Sequence, residues 1–173
     1  QKIQRLTEIS HTSPFVTGEV LFSKGRHANL LLVQGVTSDE TSVTRLSDYM
    51  TEGTFSSQKN TLQIGQKFAN FHNYSIGDSL SLLSPITATS VTYTITGIFE
   101  THIKNLDENL IFMSLSDAQA LFNLGDAVHG FKVRPTGDLN TAKLALINAL
   151  PPRYEVSTWK DINHALIGAL NIE

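Results

Sequence analysis

The sequence predicts an α+β fold in which mixed and antiparallel sheets pack against helices. Apolar segments with strand-like patterns recur along the chain and often follow one another directly. Segments with one helical apolar face stand between and after them. The 173 residues are 40% hydrophobic and 17% charged, which is typical of a globular chain with a sizeable core.

The first part of the chain mixes helical and strand-like patterns. It predicts the end of an amphipathic helix at residues 3–9 and a breaker at residues 10–14. Two strands joined by a basic turn are expected at residues 15–22 and 30–36. A short helix with Ser38 as N-cap is expected at residues 38–50. The basic cluster at the turn between the two strands, Lys24–His27, is too short to follow a nucleic-acid backbone and is interpreted as solvated.

The middle of the chain predicts mainly strands. A polar loop, a strand, a short helix and a further strand are expected at residues 53–60, 62–64, 66–71 and 79–83. The next strand alternates strictly, and its apolar face comprises Val91, Tyr93, Ile95, Gly97 and Phe99.

A buried strand and a capped helix follow. Residues 110–113 are continuously apolar, which favours a strand inside the sheet. Ser116 and Gln119 have the spacing of a capping box, in which both side chains would satisfy free N–H groups at a helix start.

The last part of the chain predicts a strand, a turn, a helix, a short strand and a final helix. These are expected at residues 128–133, 135–137, 139–150, 154–157 and from Trp159 onward. Pro151 and Pro152 end the first helix, and Trp159 is interpreted as packing the final helix against the sheet.

The composition excludes several classes of function. With 13 Lys and Arg residues against 16 Asp and Glu, the chain offers no basic face for nucleic acid. The absence of cysteine excludes disulfides, cysteine catalysis and thiolate metal sites. Apolar runs such as Leu30–Val33 are far too short to span a bilayer.

No motif nominates a catalytic residue, a metal ligand or a cofactor site. The six histidines form no H-x-H or H-x-x-x-H pair, and no G-x-S-x-G elbow or phosphate-binding loop occurs. Asp107 and Glu108 are expected in a polar connection, where charges are solvated. A hydrolase site assembled from scattered Asp, Glu and His residues stays open as an alternative.

The connection between two strands of the middle region is the candidate partner-binding site. It carries Pro and Ile where exposure is expected, which is compatible with an ordinary loop that has one apolar residue and also with a tip that contacts a partner. The candidate residues are Ser84, Pro85, Ile86, Thr87, Ala88 and Thr89, with Ser90 opening the next strand.

The order of these segments resembles the extracytoplasmic domain of MacB/LolC-LolE/FtsX-like ABC transporter permeases. "SPFVTGEVLF" followed by "LLLVQGVTSDE" is similar to that family's opening strand pair. "LQIGQKFANFHNYSIGDSLSLLSP" and "VSTWKDINHALIGAL" resemble its glycine-containing middle segment and its Trp-containing helix. The longest similar stretch, "YTITGIFETHIKNLDENLIFMSLSDAQALFNLGDAVHGFKVR", resembles the lipoprotein-releasing members.

The resemblance implies a two-lobed domain without an active site of its own. One lobe would comprise residues 1–55 and 125–173, and the other residues 56–124. The helical patterns at both ends would lead to membrane helices absent from this sequence. The domain would lie on the periplasmic side of the bacterial inner membrane.

The resemblance also implies the partners. These are an ATP-binding subunit, a sister permease and a periplasmic lipoprotein carrier, which a LolC-like hairpin would grip. Because the matching connection is short here, a LolE-like partner stays an alternative. A MacB-like efflux permease with an adaptor protein and an FtsX-like permease with a hydrolase activator also stay open.

Overall fold

The computed structural model describes residues 3, 6–84 and 86–158. The chain divides into two compact units, one of residues 13–132 and one of residues 1–12 with 133–173. The predicted lobe boundaries, at residues 55/56 and 124/125, stay a prediction. None of the described helices is long and apolar enough to cross a membrane.

The α+β prediction is confirmed, because the described residues combine helices with strands that are often consecutive in the chain and paired antiparallel. The strands are β1 Ile9–Lys24, β2 His27–Val36, β3 Met50–Gly53, β4 Thr61–Gly65, β5 Ser79–Leu83, β6 Ser90–Phe99, β7 Leu110–Ser114 and β8 Gly130–Pro135. The helices are α1 Glu40–Thr44, α2 Gln66–His72, α3 Lys104–Asn109, α4 Leu115–Leu121 and α5 Leu139–Ala149.

Six strands of the larger unit hydrogen-bond in a closed ring. The order is β1, β2, β7, β4, β6, β5 and back to β1, where Leu21 lies opposite Leu83. The β2–β7 and β4–β6 pairs are parallel and the other four are antiparallel, so the sheet is mixed. In addition, β3 pairs with β6, and β8 follows β1 in the sheet order.

The interior of the ring is the main hydrophobic core. Alternate residues of each strand point inward, as the two-residue period of a strand requires. Side chains of α2 and α4 complete this core, which includes Val20, Phe22, Leu31, Val33, Leu62, Ile64, Phe68, Leu80, Leu82, Tyr93, Ile95, Ile111, Met113, Ala118 and Phe122. A smaller cluster around Val36, Leu46, Phe99, Leu110 and Phe112 forms the second core.

Close packing of α4 depends on a glycine in β2. A Cβ atom at Gly35 would overlap the Cβ atom of Ala118. Only a residue without a side chain therefore lets α4 approach the strand this closely.

Most predicted strands are confirmed, but the alternation of β6 is not continuous. Tyr93 and Ile95 face the ring interior as predicted. The pairing with β4 then shifts by one residue between Leu62 and Gln63, which is a β-bulge. Beyond it, Ile98 contributes to the ring interior and Phe99 to the second core, so the prediction of one shared face is wrong for Phe99.

Two predictions near the start of the chain are wrong. The expected breaker at residues 10–14 lies inside β1, where Ser10 Oγ donates to the Arg134 carbonyl at 3.0 Å. The expected single helix at residues 38–50 is divided into α1 and a 3₁₀ helix at Leu46–Tyr49, because Arg45 takes a left-handed conformation (φ 56°) and ends α1. The cap position of α1 is Asp39 rather than Ser38.

Later corrections concern a cap and a strand. The N-cap of α4 is Ser114 rather than Ser116, and its Oγ accepts from Asp117 N at 3.1 Å. The buried strand thus supplies the cap from its own last residue. Residues 154–157 do not form the predicted short strand. Trp159 and the final predicted helix lie outside the described residues.

Candidate functional site

The candidate site is the tip of the β5–β6 hairpin. The two strands pair antiparallel from Ser79 opposite Thr94 to Leu83 opposite Ser90. The tip therefore comprises residues 84–89. Five of its six residues are described, and Pro85 lies outside the described residues.

Ser84 closes the tip through four hydrogen bonds. Its Oγ accepts from the backbone N–H groups of Ile86 and Thr87, both at 3.2 Å. Its own N–H donates to the Thr89 carbonyl, and its carbonyl accepts from Ala88 N–H, both at 3.0 Å. Because Ser84 is also fully buried, it holds the tip in shape instead of presenting a contact surface.

Ile86 presents a large apolar side chain to solvent. Its side chain is 64% exposed although an isoleucine is ordinarily buried. Ala88, with a φ of 54°, lies in the left-handed region and turns the chain back toward β6. The tip contains no titratable side chain. It can make apolar contacts and hydroxyl hydrogen bonds, but it cannot transfer a proton.

A row of exposed leucines adjoins the tip. Leu83 lies opposite Leu21, and Leu21 lies opposite Leu30, so the three residues are neighbours across β5, β1 and β2. Their exposed fractions are 38%, 39% and 55%, respectively. We call Leu21, Leu30 and Leu83 the leucine row.

Sequence reasoning did not find the leucine row. One signal for it was present, because three consecutive leucines at positions 30–32 cannot all face the interior of an alternating strand. The cross-strand neighbours could not be read from this signal. They depend on pairing between β1 and β5, which are distant in sequence.

The Asp107–Glu108 pair serves the local structure. Asp107 is fully buried, so the prediction of a solvated carboxylate is wrong for this residue. Its Oδ1 accepts from the N–H and the Oγ1 of Thr101, both at 2.7 Å, and thereby closes the loop before α3. Glu108 forms an exposed pair with Lys104, with Nζ and Oε1 3.8 Å apart.

The described histidines and carboxylates form no group of three or more that could hold a metal ion. The clear shifts of pKa lie away from the tip. Burial, with a smaller contribution from the Asp117 carboxylate, raises the pKa of Tyr93 to about 12. Burial and Asp78 likewise raise the pKa of Tyr74.

Comparison with known proteins identifies the family and a curated relative of this chain. The sequence model of the MacB-like periplasmic core domain matches residues 1–147. The chain is 25% identical to the lipoprotein-releasing system transmembrane protein LolC of Xylella fastidiosa over 179 residues, covering 95% of this chain and 43% of that protein. The chain thus spans less than half the length of this relative.

Two solved structures share the fold. The extracellular domain of the noncanonic ABC-type transporter YknZ from Gram-positive bacteria matches with a TM-score of 0.61 and 13% identity, covering 84% of this chain and 79% of that one. The periplasmic region of MacB from Actinobacillus actinomycetemcomitans matches with a TM-score of 0.59 and 11% identity, covering 84% and 68%. At these identities the likeness concerns the fold alone.

Proposed function

The chain belongs to the family of MacB-like periplasmic core domains of ABC transporter permeases, and we propose that it works in lipoprotein release. In this role it helps to remove lipoproteins from the bacterial inner membrane and to pass them to a periplasmic carrier. The domain itself is non-catalytic, and ATP hydrolysis belongs to a separate ATP-binding subunit. Membrane helices outside this sequence and a sister permease complete the transporter.

The observation that carries this proposal is the exposed Ile86 on a tip held by its own hydrogen bonds. A preformed tip loses little conformational entropy on binding, so its apolar side chain can contribute most of its burial energy to a partner. The leucine row extends the apolar surface beside it. Together they offer a hydrophobic contact surface of the kind that marks protein interaction sites.

The similarity to a LolC protein supports lipoprotein as the cargo. That relative is described as part of a lipoprotein-releasing system, and the similarity covers 95% of this chain. A carrier of lipoproteins needs apolar surface to shield the lipid chains from water. An apolar tip is complementary to such a partner.

A second candidate function rests on the shortness of the tip. Six residues, 84–89, separate β5 from β6, which limits the area that the tip alone can bury against a carrier. The same fold would then serve a MacB-like efflux permease that docks an adaptor protein. An FtsX-like permease that docks a hydrolase activator is equally compatible with a short tip.

The test is calorimetric titration of this chain with the lipoprotein carrier of the same organism. We expect binding, and we expect Ile86→Asp to weaken it by roughly tenfold or more, because a charge would replace a buried apolar group. Ile103→Asp is the matched control, since Ile103 is also exposed but precedes α3 instead of lying in the tip. Circular dichroism would verify that both variants fold.

Three results would separate the candidate functions. Loss of binding in Ile86→Asp alone supports lipoprotein release and locates the contact at the tip. If Ile86→Asp and Ile103→Asp weaken carrier binding equally, the tip is not the contact site. No binding of the unchanged chain to the carrier, with binding to an adaptor protein instead, favours the efflux role.

A further inference from the structure

A cleft in the larger unit is unrelated to the tip and has the size of a small-molecule site. Its volume is about 590 Å³, and it lies between α2 and α3 beside the start of β2. Pockets for small ligands range from roughly 300 to 1,000 Å³. The residues that determine its chemistry are Asn29, Lys67, Asn70, Phe71, Glu108 and Asn109.

The α2 wall of the cleft offers hydrogen-bond donors. Asn70 Oδ1 already accepts from Gln66 Nε2 at 3.1 Å, which leaves the N–H groups of its amide for a ligand. Lys67 is exposed, and within the described part of the chain its ammonium group takes part in no ion pair or hydrogen bond. This wall therefore presents a cation and a neutral donor.

The α3 wall offers acceptors. Asn109 Nδ2 donates to Asn105 Oδ1 at 2.9 Å and to the Asn105 carbonyl at 3.1 Å, so the free atom of its amide is Oδ1. Glu108 supplies a carboxylate whose contact with Lys104, at 3.8 Å, is long and exposed. The opposing walls are thus complementary in charge and in hydrogen bonding.

The aromatic residues of α2 add a fixed apolar surface. Phe71 is 66% exposed, and its ring stands edge-on to the His72 ring with centroids 4.8 Å apart. His72 packs in turn on Phe22 and Phe68, with centroid distances of 4.8 and 4.6 Å. Helix α2 is therefore anchored on the core, and the Phe71 ring can contact the carbon atoms of a ligand.

We propose that this cleft binds a small zwitterion with a primary ammonium group and an acidic group joined by a short carbon chain. The acidic group lies against Lys67 and Asn70, and the ammonium group lies against Glu108 and Asn109. Phosphoethanolamine, as a lipid headgroup or a soluble ester, and free amino acids share this chemistry. The inference is independent of the partner that the tip binds.

The test is calorimetric titration of the chain with three soluble probes. Glycerophosphoethanolamine represents the headgroup, 4-aminobutyrate represents amino acids, and glycerophosphocholine has a trimethylammonium group that cannot donate hydrogen bonds to the α3 wall. We expect at least one of the first two probes to bind roughly tenfold more tightly than glycerophosphocholine. Binding of the first probe alone identifies headgroup chemistry, and vesicles with and without phosphatidylethanolamine then separate lipid from soluble ester.

Matched variants locate the site. Lys67→Met and Glu108→Gln should each weaken binding by roughly tenfold, because each removes one charge-assisted interaction. Lys59→Met and Glu52→Gln make the same changes at exposed positions outside the cleft and should leave binding unchanged. The proposal is overturned if neither zwitterion binds, if glycerophosphocholine binds equally well, or if the control variants lose as much affinity as the cleft variants.

Discussion

Leu82 and Leu83 are chemically identical neighbours in β5, but they belong to two different regions of the molecule. Leu82 points into the closed ring of strands and is fully buried, whereas Leu83 points outward and is 38% exposed. The same contrast separates Leu31 from Leu30 in β2. Position in the strand, and not residue type, decides whether a leucine supports the fold or forms surface.

The two regions also differ in what constrains them. Inside the ring, each side chain has neighbours from several strands and from α2 or α4, so shape and volume are fixed. On the leucine row, the side chains have neighbours within the sheet and solvent above it. A substitution inside should therefore change stability, whereas a substitution outside should change recognition.

The largest expected effect is the loss of a side chain from the ring interior. Ile95 is fully buried, and Ile95→Ala should lower the free energy of unfolding by about 2–5 kcal/mol, because it leaves a cavity. Leu83→Ala, on the outer side of the neighbouring strand, should cost less than about 1 kcal/mol. Urea denaturation of both variants measures the contrast. If Ile95→Ala lowered the free energy of unfolding by less than about 1 kcal/mol, the inward assignment of Ile95 in β6 would be wrong.

A second variant tests how tightly the ring interior is filled. Gly35→Ala places a methyl group where it would overlap Ala118, so the free energy of unfolding should fall by about 1–3 kcal/mol. Gly137→Ala is the control, since a Cβ atom there meets no atom within 4 Å. Thermal unfolding of both variants provides the measurement. Equal melting temperatures would show that α4 does not pack closely on β2.

A third test uses pH to probe the interior. The pKa of Tyr93 is raised from 10.0 to about 12, so the unfolded chain releases this proton at lower pH than the folded chain does. Stability that is fully present below pH 10 should decline as the pH approaches 12. Tyr93→Phe should reduce that decline by an amount on the order of 1–2 kcal/mol. The urea midpoints of both proteins, measured from neutral to alkaline pH, give the decline in stability. If the stability of Tyr93→Phe declined as much as that of the unchanged chain, the Tyr93 hydroxyl would be in contact with water.

The smallest expected effect on stability belongs to the leucine row. Leu30→Ser should change the free energy of unfolding by no more than about 0.5 kcal/mol, because Leu30 is largely exposed. Leu31→Ser, one residue further, buries a hydroxyl in the core and should be severely destabilising. Chemical denaturation of the pair measures the difference. If the two variants lost similar stability, the inward and outward assignments in β2 would be wrong.

The sequence was informative where structure depends on local periodicity. The alternation of Tyr93 and Ile95 and the apolar run at residues 110–113 predicted strands β6 and β7. The tip at residues 84–89 was predicted as a connection between paired strands. All of these depend on residues a few positions apart.

The features that the sequence did not reveal depend on distant contacts. The ring closes where Leu21 pairs with Leu83, about 60 residues apart in the chain. A pattern of neighbouring residues cannot predict such a pairing. Asp107 is a charged residue type that is ordinarily solvated, but here it is buried and accepts two hydrogen bonds from Thr101. Lys132 and Glu40 are likewise far apart in sequence, and the Lys132 Nζ atom lies 2.6 Å from the buried Glu40 carboxylate.

The closed ring has a consequence for how partners can be recognised. Many proteins bind extended peptides by adding a strand to an open sheet edge, where free backbone N–H and C=O groups give affinity without much sequence preference. Each of the six ring strands already has a neighbour on both sides. Strand addition is therefore closed where both edges of a strand are paired, as in Leu32–Val36 of β2 between β1 and β7. A partner that meets these stretches has to be selected by side chains, and altering a few outward residues could redirect its choice without rebuilding the fold.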